Sequence, residues 1–467
     1  MISQKTRASL TITVGTLLVT FGTLLLVAIA SGYRIDFFKG EISATGLALL
    51  NTSPSGSSIK INSQKISPKT PYRLENVNTG PLRVQYSKPN YLDWQADFFV
   101  RAGQVTFADY ALLIPTQINP KIIADPIIFS SVASASKSSK MFATVDSPSN
   151  IYEITSSDNF RKIVEFPINS SIKPPNKLSA PIISPDGNSL LTRASYEDGT
   201  ATTFWLNTNS GELRDIDNIF GPKTTNLTIN PKNSKEVFGL GSSQVKKLNA
   251  ENSNTITLPM SSVLSYQIDD DYIFTLEGLS PATSGQFLVR YDHNGNNRYV
   301  LYQYPPTAVP WNIIPSKLSG EVELALHDPS TGGLHIFSKV NGKYLSSFIG
   351  LGNSLPSFSP TGRFISFITE SKLRTIDIEY TDRFYTQLEA AQELRWLTDY
   401  QIIVTTPSGL EIVDYNGFNK TKIPPSATPD AGYSTALKAD TKSIYFIASG
   451  KINYYSLQPK TGLIDFR

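Results

Sequence analysis

The chain has 467 residues, a formal net charge of +3 and 17% charged residues. A charge balance this close to neutral gives no electrostatic footprint for nucleic acid, so no nucleic-acid partner is expected. The sequence contains no cysteine, which excludes disulfides and thiolate chemistry and leaves the redox compartment open.

The first element is an uncharged run from Ala8 to Tyr33. A membrane-spanning helix needs about 20 apolar residues, so the run predicts a transmembrane helix over residues 8–33. A cleaved signal peptide is the alternative, because Ala28-Ile29-Ala30 fits the small-x-small cleavage pattern. The run is nevertheless longer than the core of an ordinary signal peptide, which is about 7–15 residues. We therefore favour a retained anchor in the lipid bilayer.

The sequence determines the orientation of this helix less strongly. Lys5 and Arg7 precede the run, and Arg34 and Lys39 follow it, so the positive-inside rule favours an inside N-terminus only slightly. The remaining chain is rich in Ser, Thr, Asn and Tyr, a composition that suits the cell surface. We expect residues 1–7 to be a short cytoplasmic tail, too short to fold alone. The bulk of the chain is expected outside a cell membrane that it crosses once.

Short strands follow the apolar run. Leu47 and Leu49, and later Ile59, alternate with polar residues, which is the period of a strand with one buried face. Between them lies Ser53-Pro54-Ser55-Gly56, where proline fixes φ and glycine permits a tight turn. Further turn signals recur about every ten residues, which predicts a small all-β domain over residues 45–114.

This stretch resembles the PEGA domain. Its turn Pro54-Ser55-Gly56-Ser57 corresponds to the family's Pro-Glu-Gly-Ala motif, with serine in place of glutamate and alanine. Four other segments match the family's pattern of strands and turns: Thr70-Pro71-Tyr72, Asn76 to Gly80, Lys88 to Trp94, and Ala102 to Val105. The resemblance implies a β-sandwich that serves as a stalk or envelope contact and carries no catalytic apparatus.

After the small domain, two copies of one pattern stand out, "APIISPDGNSLLTRAS" and "LPSFSPTGRFISFITE". In each, an apolar strand runs into a turn with proline (Pro185, Pro360) and glycine (Gly187, Gly362) at positions that turns favour. Weaker copies recur at about 40–49 residues, the period of a four-stranded propeller blade. The pattern predicts a β-propeller over residues 127–467 with eight blades, or seven if the weak first copy is a linker. The Ser-Pro-Asp-Gly form resembles TolB-type and WD40-like repeats.

Propellers are closed by strand pairing between the first and last blades. We expect the C-terminal segment "KINYYSLQPKTGLIDF" to complete the last blade or to pair with a strand from near "TFADYALLIP". Either arrangement uses both sheet edges, so strand addition is not available to a ligand. Residues 34–44 and 115–126 are expected to be linkers.

The sequence shows no recognisable catalytic motif. His293, His327 and His335 are interpreted as satisfied or solvent-facing side chains. The segment "DHNGNN" from Asp292 lacks the glycine and closing glutamate of a calcium loop and is interpreted as a hairpin turn, and "DDD" from Asp269 as a solvated bend. We expect a binding function, with no catalytic residue, cofactor or metal. A cell-envelope lyase or hydrolase is the alternative, which a cluster of Asp, Glu, His or Arg in the central channel would favour.

The connections between successive blades hold the candidate binding residues. In a propeller they lie on one face around the channel mouth, and here several are long and rich in proline. These connections form a candidate docking surface for an envelope protein or glycan through Tyr302, Tyr304, Pro306, Trp311 and Tyr433. Packing between blades is the alternative for Trp311 and Trp396. Joint replacement of Tyr302, Tyr304 and Pro306 is predicted to abolish binding, whereas changes at Asp186 and Thr361 in the opposite turns are not.

Overall fold

The structure is a computed structural model that describes most of the chain. It describes residues 4–457 apart from the segments 37–40, 119–120, 124–126, 147–148, 157–158, 167–173, 222–223, 279–284, 305–308, 319–320, 341–342, 353, 371, 380–382, 388–390, 392, 424–434 and 439–442. The chain divides into two compact units, Met1–Gln117 and Ile118–Arg467.

The first unit begins with the helix Gln4–Ala30. Its segment Ile12–Ala30 has 19 residues and a mean hydropathy of 2.3, and none of it is buried against protein. At about 1.5 Å per residue the segment is close in length to the roughly 30 Å hydrocarbon core of a bilayer. Among the described residues this is the one helix long and apolar enough to cross a membrane, and a signal sequence has the same properties.

The helix ends in a turn that packs directly on the small domain. Gly32 has a φ of +85°, and its carbonyl accepts hydrogen bonds from the amide of Thr45 at 2.7 Å and from the Thr45 hydroxyl at 3.1 Å. The Gly103 amide donates to the Thr45 carbonyl at 2.9 Å. A Cβ atom on Gly32 would lie 2.0 Å from the nitrogen of Gly103. The two backbones therefore approach more closely than any side chain allows.

Two four-stranded sheets form the small domain. The first sheet contains Tyr33–Asp36, Glu41–Ser53, Tyr72–Asn78 and Val105–Leu112. Its last strand pairs in parallel with Glu41–Ser53. The second sheet contains Gln64–Lys69, Ser58–Ile61, Gly80–Ser87 and Trp94–Val100, in that order.

The inner faces of the two sheets share one hydrophobic core. Trp94 stacks on Tyr86 with ring centroids 5.3 Å apart and meets Tyr110 edge-on at 5.4 Å. The Tyr86 hydroxyl donates a hydrogen bond to the Ala108 carbonyl of the opposite sheet at 2.5 Å. The small domain is therefore a β-sandwich with a single core.

The interval 34–44 differs from the linker expected there. The strands Tyr33–Asp36 and Glu41–Ser53 pair in antiparallel register, from Tyr33 opposite Ala44 to Asp36 opposite Glu41. This hairpin satisfies backbone groups that a linker would leave to solvent. The sheet of the small domain therefore begins immediately after the helix.

The buried face of Glu41–Ser53 also differs from the expectation. Ala48 and Leu50 are fully buried, whereas Leu47 and Leu49 are only half-buried. The sequence from Leu47 to Leu50 is apolar at every position, so alternation could not assign the inner face.

The second unit is a β-propeller whose described residues form eight sheets in chain order. The first has Ser131–Ser134, Met141–Val145, Asn150–Ser156 and Asn159–Glu165. The second has Lys177–Leu178 and Ile182–Ile183 as its first strand, then Ser189–Ser195, Ala201–Asn207 and Leu213–Asp215, followed by the helix Ile216–Phe220. The third has Thr225–Asn230, Asn233–Gly241, Gln244–Asn249 and Asn254–Thr257. The fourth has Val263–Ile268, Ile273–Gly278, Gln286–Tyr291 and Tyr299–Tyr304.

The remaining sheets repeat the same antiparallel order. The fifth has Asn312–Leu318, Glu321–His327, Gly333–Val340 and Lys343–Leu351. The sixth has Ser357–Phe358, Phe364–Thr369, Lys372–Asp377 and Arg383–Gln387. The seventh has Glu393–Trp396, Gln401–Thr406, Gly409–Asp414 and Thr421–Ile423. The eighth has Thr435–Leu437, Ser443–Ala448, Lys451–Ser456 and, from far upstream, Lys121–Ile122.

The eighth sheet closes the propeller. Tyr454 lies opposite Lys121 and Asn453 opposite Ile122, and the next amide, of Ile123, donates to the Ile452 carbonyl at 2.9 Å. The interval 115–126, expected to be a linker, therefore contributes the outer strand of the last sheet. Strand propensity in a two-residue segment is too weak to reveal this pairing from the sequence.

Antiparallel order gives the propeller two distinct sides. Every first strand runs from the connection that precedes its sheet to the turn that leads into its second strand. We call the two sides the connection side and the turn side. The turn between the third and fourth strands also lies on the turn side.

Candidate binding surfaces of the propeller

A central channel of about 1020 Å³ runs along the first strands of the sheets. Its described lining consists mainly of hydroxyl, amide and aliphatic side chains, such as Ser265, Gln267, Ile268, Asn312 and Ile314. The charged residues of that described lining are Lys137, Asp269 and Asp270. A lining of this composition suits contact with a neutral polar ligand better than proton transfer.

The charged residues lie at the turn end of the channel. The Lys137 ammonium donates to the Asp270 carboxylate at 2.8 Å and so links the turns of the first and fourth sheets. Asp269 accepts from the amides of Asp271 and Tyr272, both at 2.7 Å. The Asp269 to Asp271 segment is therefore a bend, stabilised by hydrogen bonds from backbone amides to the Asp269 carboxylate.

A second cavity, of about 530 Å³, lies between the second and third sheets. Its lining is again rich in hydroxyl groups, including Thr192, Thr203 and Thr225. Arg193 and Asp217 are the charged residues of its described lining, and Asp217 accepts a hydrogen bond from the Thr203 amide at 2.8 Å.

The turn-forming prolines and glycines occupy matching places in two sheets. Pro185 and Gly187 lie between the first two strands of the second sheet, and Pro360 and Gly362 occupy the same position in the sixth. The two glycines have φ angles of +72° and +82°. In both turns the glycine amide donates to the carbonyl three residues earlier at 2.8 Å. These four residues shape the turn side. In the small domain, Gly56 after Pro54 has a φ of +85°.

Two candidate binding residues take part in packing. Tyr302 meets Phe337 edge-on at 5.0 Å and packs against the core between the fourth and fifth sheets. Trp311 packs against the same core. The Tyr304 backbone pairs with Gln286, while the Tyr304 side chain, Pro306 and Tyr433 lie outside the described residues.

Trp396 packs between two sheets. Its indole nitrogen donates to the Ser357 carbonyl of the sixth sheet at 2.9 Å, and its ring stacks on Phe364 at 6.1 Å. These contacts match the packing alternative considered for this residue.

Three rings form a continuous stack on the fifth sheet. Trp311 stacks on His335 at 5.2 Å, and His335 meets Phe348 edge-on at 5.3 Å. Burial lowers the pKa of His335 against the opposing attraction of Asp328. The imidazole is therefore mostly neutral near pH 7 and presents an apolar ring face.

The outer end of this stack is exposed. Phe348 is 56% accessible, and Val309, Leu351 and Leu355 are also exposed. Leu351 ends the fourth strand of the fifth sheet, and Val309 and Leu355 lie in the connections before and after that sheet. We call Val309, Phe348, Leu351 and Leu355 the fifth-sheet patch. All four lie toward the connection side of this sheet, and Leu355 also lines the central channel. Exposed apolar surface is typical of interaction sites where it is contiguous.

Sequence reasoning missed Phe348 and Leu351. The fourth strand of the fifth sheet has a register shift, because Leu334 lies opposite Gly350 while the next residue, His335, lies opposite Phe348. This bulge buries Ile349 and exposes Phe348. Alternation alone could not predict which of these two neighbours faces the core.

The other histidines have structural surroundings. The His293 ring nitrogen Nε2 lies 3.0 Å from the Asp269 carbonyl. His327 is buried, and its Nδ1 lies 3.3 Å from the Asn312 amide nitrogen. The described residues contain no group of three or more His, Cys, Asp or Glu side chains that could hold a metal ion.

Comparison with known proteins adds to these observations. Residues 46–114 match the PEGA domain family. The protein therefore combines a PEGA domain with a β-propeller that follows it. No curated protein matches the chain.

Solved structures resemble the propeller at low sequence identity. A eukaryotic initiation factor is 12% identical with a TM-score of 0.47, over 74% of this chain and 90% of that one. The Cps50 (Swd1) beta-propeller domain of Myceliophteria thermophila is 10% identical with a TM-score of 0.41, over 73% and 100%. An oligogalacturonate lyase in complex with manganese is 11% identical with a TM-score of 0.44, over 74% and 98%.

Proposed function

We propose that the protein is a single-pass membrane protein that binds a partner outside the cell and catalyses no reaction. The helix anchors it, the PEGA domain is its stalk or envelope contact, and the propeller docks an envelope protein or glycan. The fifth-sheet patch carries this proposal, because its exposed Phe348 ends a stack of rings formed with Trp311 and His335 on the connection side. Aromatic residues on a rigid scaffold lose little entropy on binding.

The composition of the channel supports binding over catalysis. The sequence alternative, an envelope lyase or hydrolase, needs grouped acid and base side chains. Among the described lining residues, Lys137 and Asp270 already satisfy each other, and Asp269 stabilises a bend.

The exit of the helix supports a retained anchor. The amide of Ser31 donates to the Val27 carbonyl, and Gly32 is bonded to Thr45. The helix is therefore continuous with a turn that packs on the folded small domain. Protease added to intact cells is expected to digest the chain beyond about Arg34. A mature N-terminus at Ser31, or resistance of the propeller until lysis, would contradict the anchor or its orientation.

Binding is tested with two matched phenylalanines. Phe348 is 56% accessible in the fifth-sheet patch, and Phe418 is 54% accessible in a turn of the seventh sheet on the opposite side. The solubilised protein is used to capture envelope proteins and glycans. Phe348→Ala is expected to weaken capture by about tenfold or more, since a central aromatic contact contributes about 2 kcal/mol. Phe418→Ala is expected to leave it unchanged. Equal capture by both variants would refute the patch as the docking surface.

Phe348 is a sharper probe than the candidates named from the sequence. Replacing Tyr302 would also remove its contact with Phe337 in the core, so lost binding could not be separated from lost stability. The opposite-side control Asp186 raises a similar difficulty, because its carboxylate accepts bonds from Ser184 and Asn188 within its turn.

A further inference from the structure

Exposed apolar side chains of the PEGA domain gather at one end. Within residues 46–114, the exposed large hydrophobic residues that the structure describes are Leu92, Phe99, Val105 and Phe107. Three of them lie within four residues of Gly103 along the chain. At about 3.3 Å per residue in a strand, all three are within roughly 13 Å of Gly103.

Two half-buried leucines extend this apolar end. Leu47 lies opposite Val105 and Leu49 opposite Phe107 in the parallel strand pair. Their side chains share the outer face of the first sheet, on the side away from the buried Ala48. Phe99 lies on the outer face of the second sheet, opposite Pro81. Apolar side chains therefore surround this end on both faces of the sandwich.

The same end is attached to the helix. Gly103 bonds to Thr45, and Thr45 bonds to Gly32, two residues beyond the helix terminus at Ala30. The contact between Gly32 and Gly103 is too close to admit a side chain. The apolar end is therefore held within a short distance of the point where the helix would leave the hydrocarbon core. We call Phe99, Val105 and Phe107 the foot of the domain.

We propose that the foot inserts into the surface layer of the same bilayer that the helix crosses. This inference rests on the membrane anchoring proposed above. Phenylalanine is among the residues whose apolar side chains let interfacial elements enter about 5–10 Å into the headgroup boundary. Arg101, exposed in the turn between Phe99 and Gly103, is placed to pair with headgroup phosphates. The PEGA domain is then fixed to the membrane surface rather than free to swing on the helix.

Spin labels test this proposal in the full-length protein in lipid nanodiscs. The chain contains no cysteine, so a single introduced cysteine is the unique labelling site. Four variants compare exposed positions: Phe21→Cys on the helix, Phe99→Cys and Phe107→Cys in the foot, and Leu92→Cys as the control. Phe21, Phe99 and Phe107 are 68%, 65% and 55% accessible, so a protein surrounded by water would expose all three similarly.

Leu92 is the control within the same domain. Its amide bonds to the Ile114 carbonyl, and the strand Trp94–Val100 separates it from the foot by roughly 20 Å. Two accessibilities are measured for each label: to oxygen, which dissolves in lipid, and to a nickel chelate, which stays in water. The reported quantity is the ratio of the first to the second. The ratio is expected to be highest at position 21, several-fold higher at positions 99 and 107 than at 92, and lowest at 92.

Two results would overturn the proposal, and they are distinguishable. If the label at position 21 is in lipid while the labels at positions 99 and 107 give the same ratio as position 92, the membrane anchor is supported and insertion of the foot is refuted. If position 21 is itself in water, the membrane anchor fails and the foot fails with it.

Discussion

The two units of this protein distribute their hydrophobic cores differently. In the PEGA domain, one core cluster collects buried residues from both sheets around Trp94. In the propeller, each cluster joins neighbouring sheets, as between the fourth and fifth around Phe337 or the sixth and seventh around Phe364. Closure adds a cluster that joins the first and last sheets through Ile123.

Because of this difference, the two units are vulnerable at different places. Loss of one central side chain in a single small core is felt by the whole domain. In the propeller, loss of one buried side chain weakens the packing between two neighbouring sheets. Only a loss at the contact between the first and last sheets, here called the seam, weakens closure of the ring. Substitutions at Trp94, Ile123 and Gly56 test this contrast.

Trp94→Ala is expected to destabilise the PEGA domain by about 3–5 kcal/mol, because it removes the largest fully buried side chain of the small core. Hydrogen exchange followed by mass spectrometry reports both units separately. Peptides from 46–114 should lose protection while propeller peptides retain it. Leu92→Ala, at an exposed apolar position of the same domain outside the foot, serves as the control. Loss of protection in both units would show that they unfold together.

Ile123→Ala is expected to destabilise the propeller by about 2–4 kcal/mol, because Ile123 is buried beside the closing strand. Its neighbour Ile122 is exposed and provides a matched control. Ile122→Ala makes the same isoleucine-to-alanine change at a position where the side chain already faces solvent. The midpoint of urea unfolding should fall for Ile123→Ala alone. Equal midpoints for the two variants would mean that this seam contributes little to stability.

Gly56→Val is expected to cost the PEGA domain about 1–3 kcal/mol. The cost comes from its φ of +85°, because an added Cβ would meet only the Lys88 ammonium, at 3.7 Å. Ser55→Val in the same turn should have little effect. Thermal unfolding of the small domain measures both, and an undiminished midpoint for Gly56→Val would contradict the conformational argument.

The smallest effect concerns pH. Burial lowers the pKa of His335 in the folded state, so the unfolded chain, with a pKa near 6.5, binds this proton more readily. Its contribution to stability is therefore complete above about pH 6.5 and is lost as the pH falls below that value. His335→Phe keeps an aromatic ring in the stack and should reduce the loss of propeller stability between pH 7 and pH 5. An unchanged pH dependence would refute this role.

Much of the architecture was predictable from the sequence, for identifiable reasons. The PEGA motif around Pro54 and the repeated turns at Gly187 and Gly362 specify local backbone geometry, which short sequences encode well. Pairing of the C-terminal segment with an upstream strand was one of two expected arrangements, but the strand is Lys121–Ile122 rather than one within the segment "TFADYALLIP". Neither that choice of residues nor the buried face of Glu41–Ser53 was predictable. Both depend on partners distant in sequence or on a choice between two apolar faces.

The proposed surface lies on the same side as the proline-rich connections that the sequence singled out. Of the residues named there, Tyr302 and Trp311 pack against a core. The exposed Phe348 follows from a bulge opposite His335, and its contact with that ring is a tertiary feature. The hydrophobic pattern of the sequence does not predict which single residue is exposed where a strand is irregular.

The outer strand of the last sheet also has a consequence for biosynthesis. Lys121–Ile122 leaves the ribosome long before its partner Lys451–Ser456, and closing so long a loop carries an entropic cost that only a completed ring repays. Until then the nascent chain presents unpaired strand edges that invite aggregation. Chains arrested before residue 451 therefore lack the strand that pairs with Lys121–Ile122 and closes the ring. A cell would have to shield or degrade such chains.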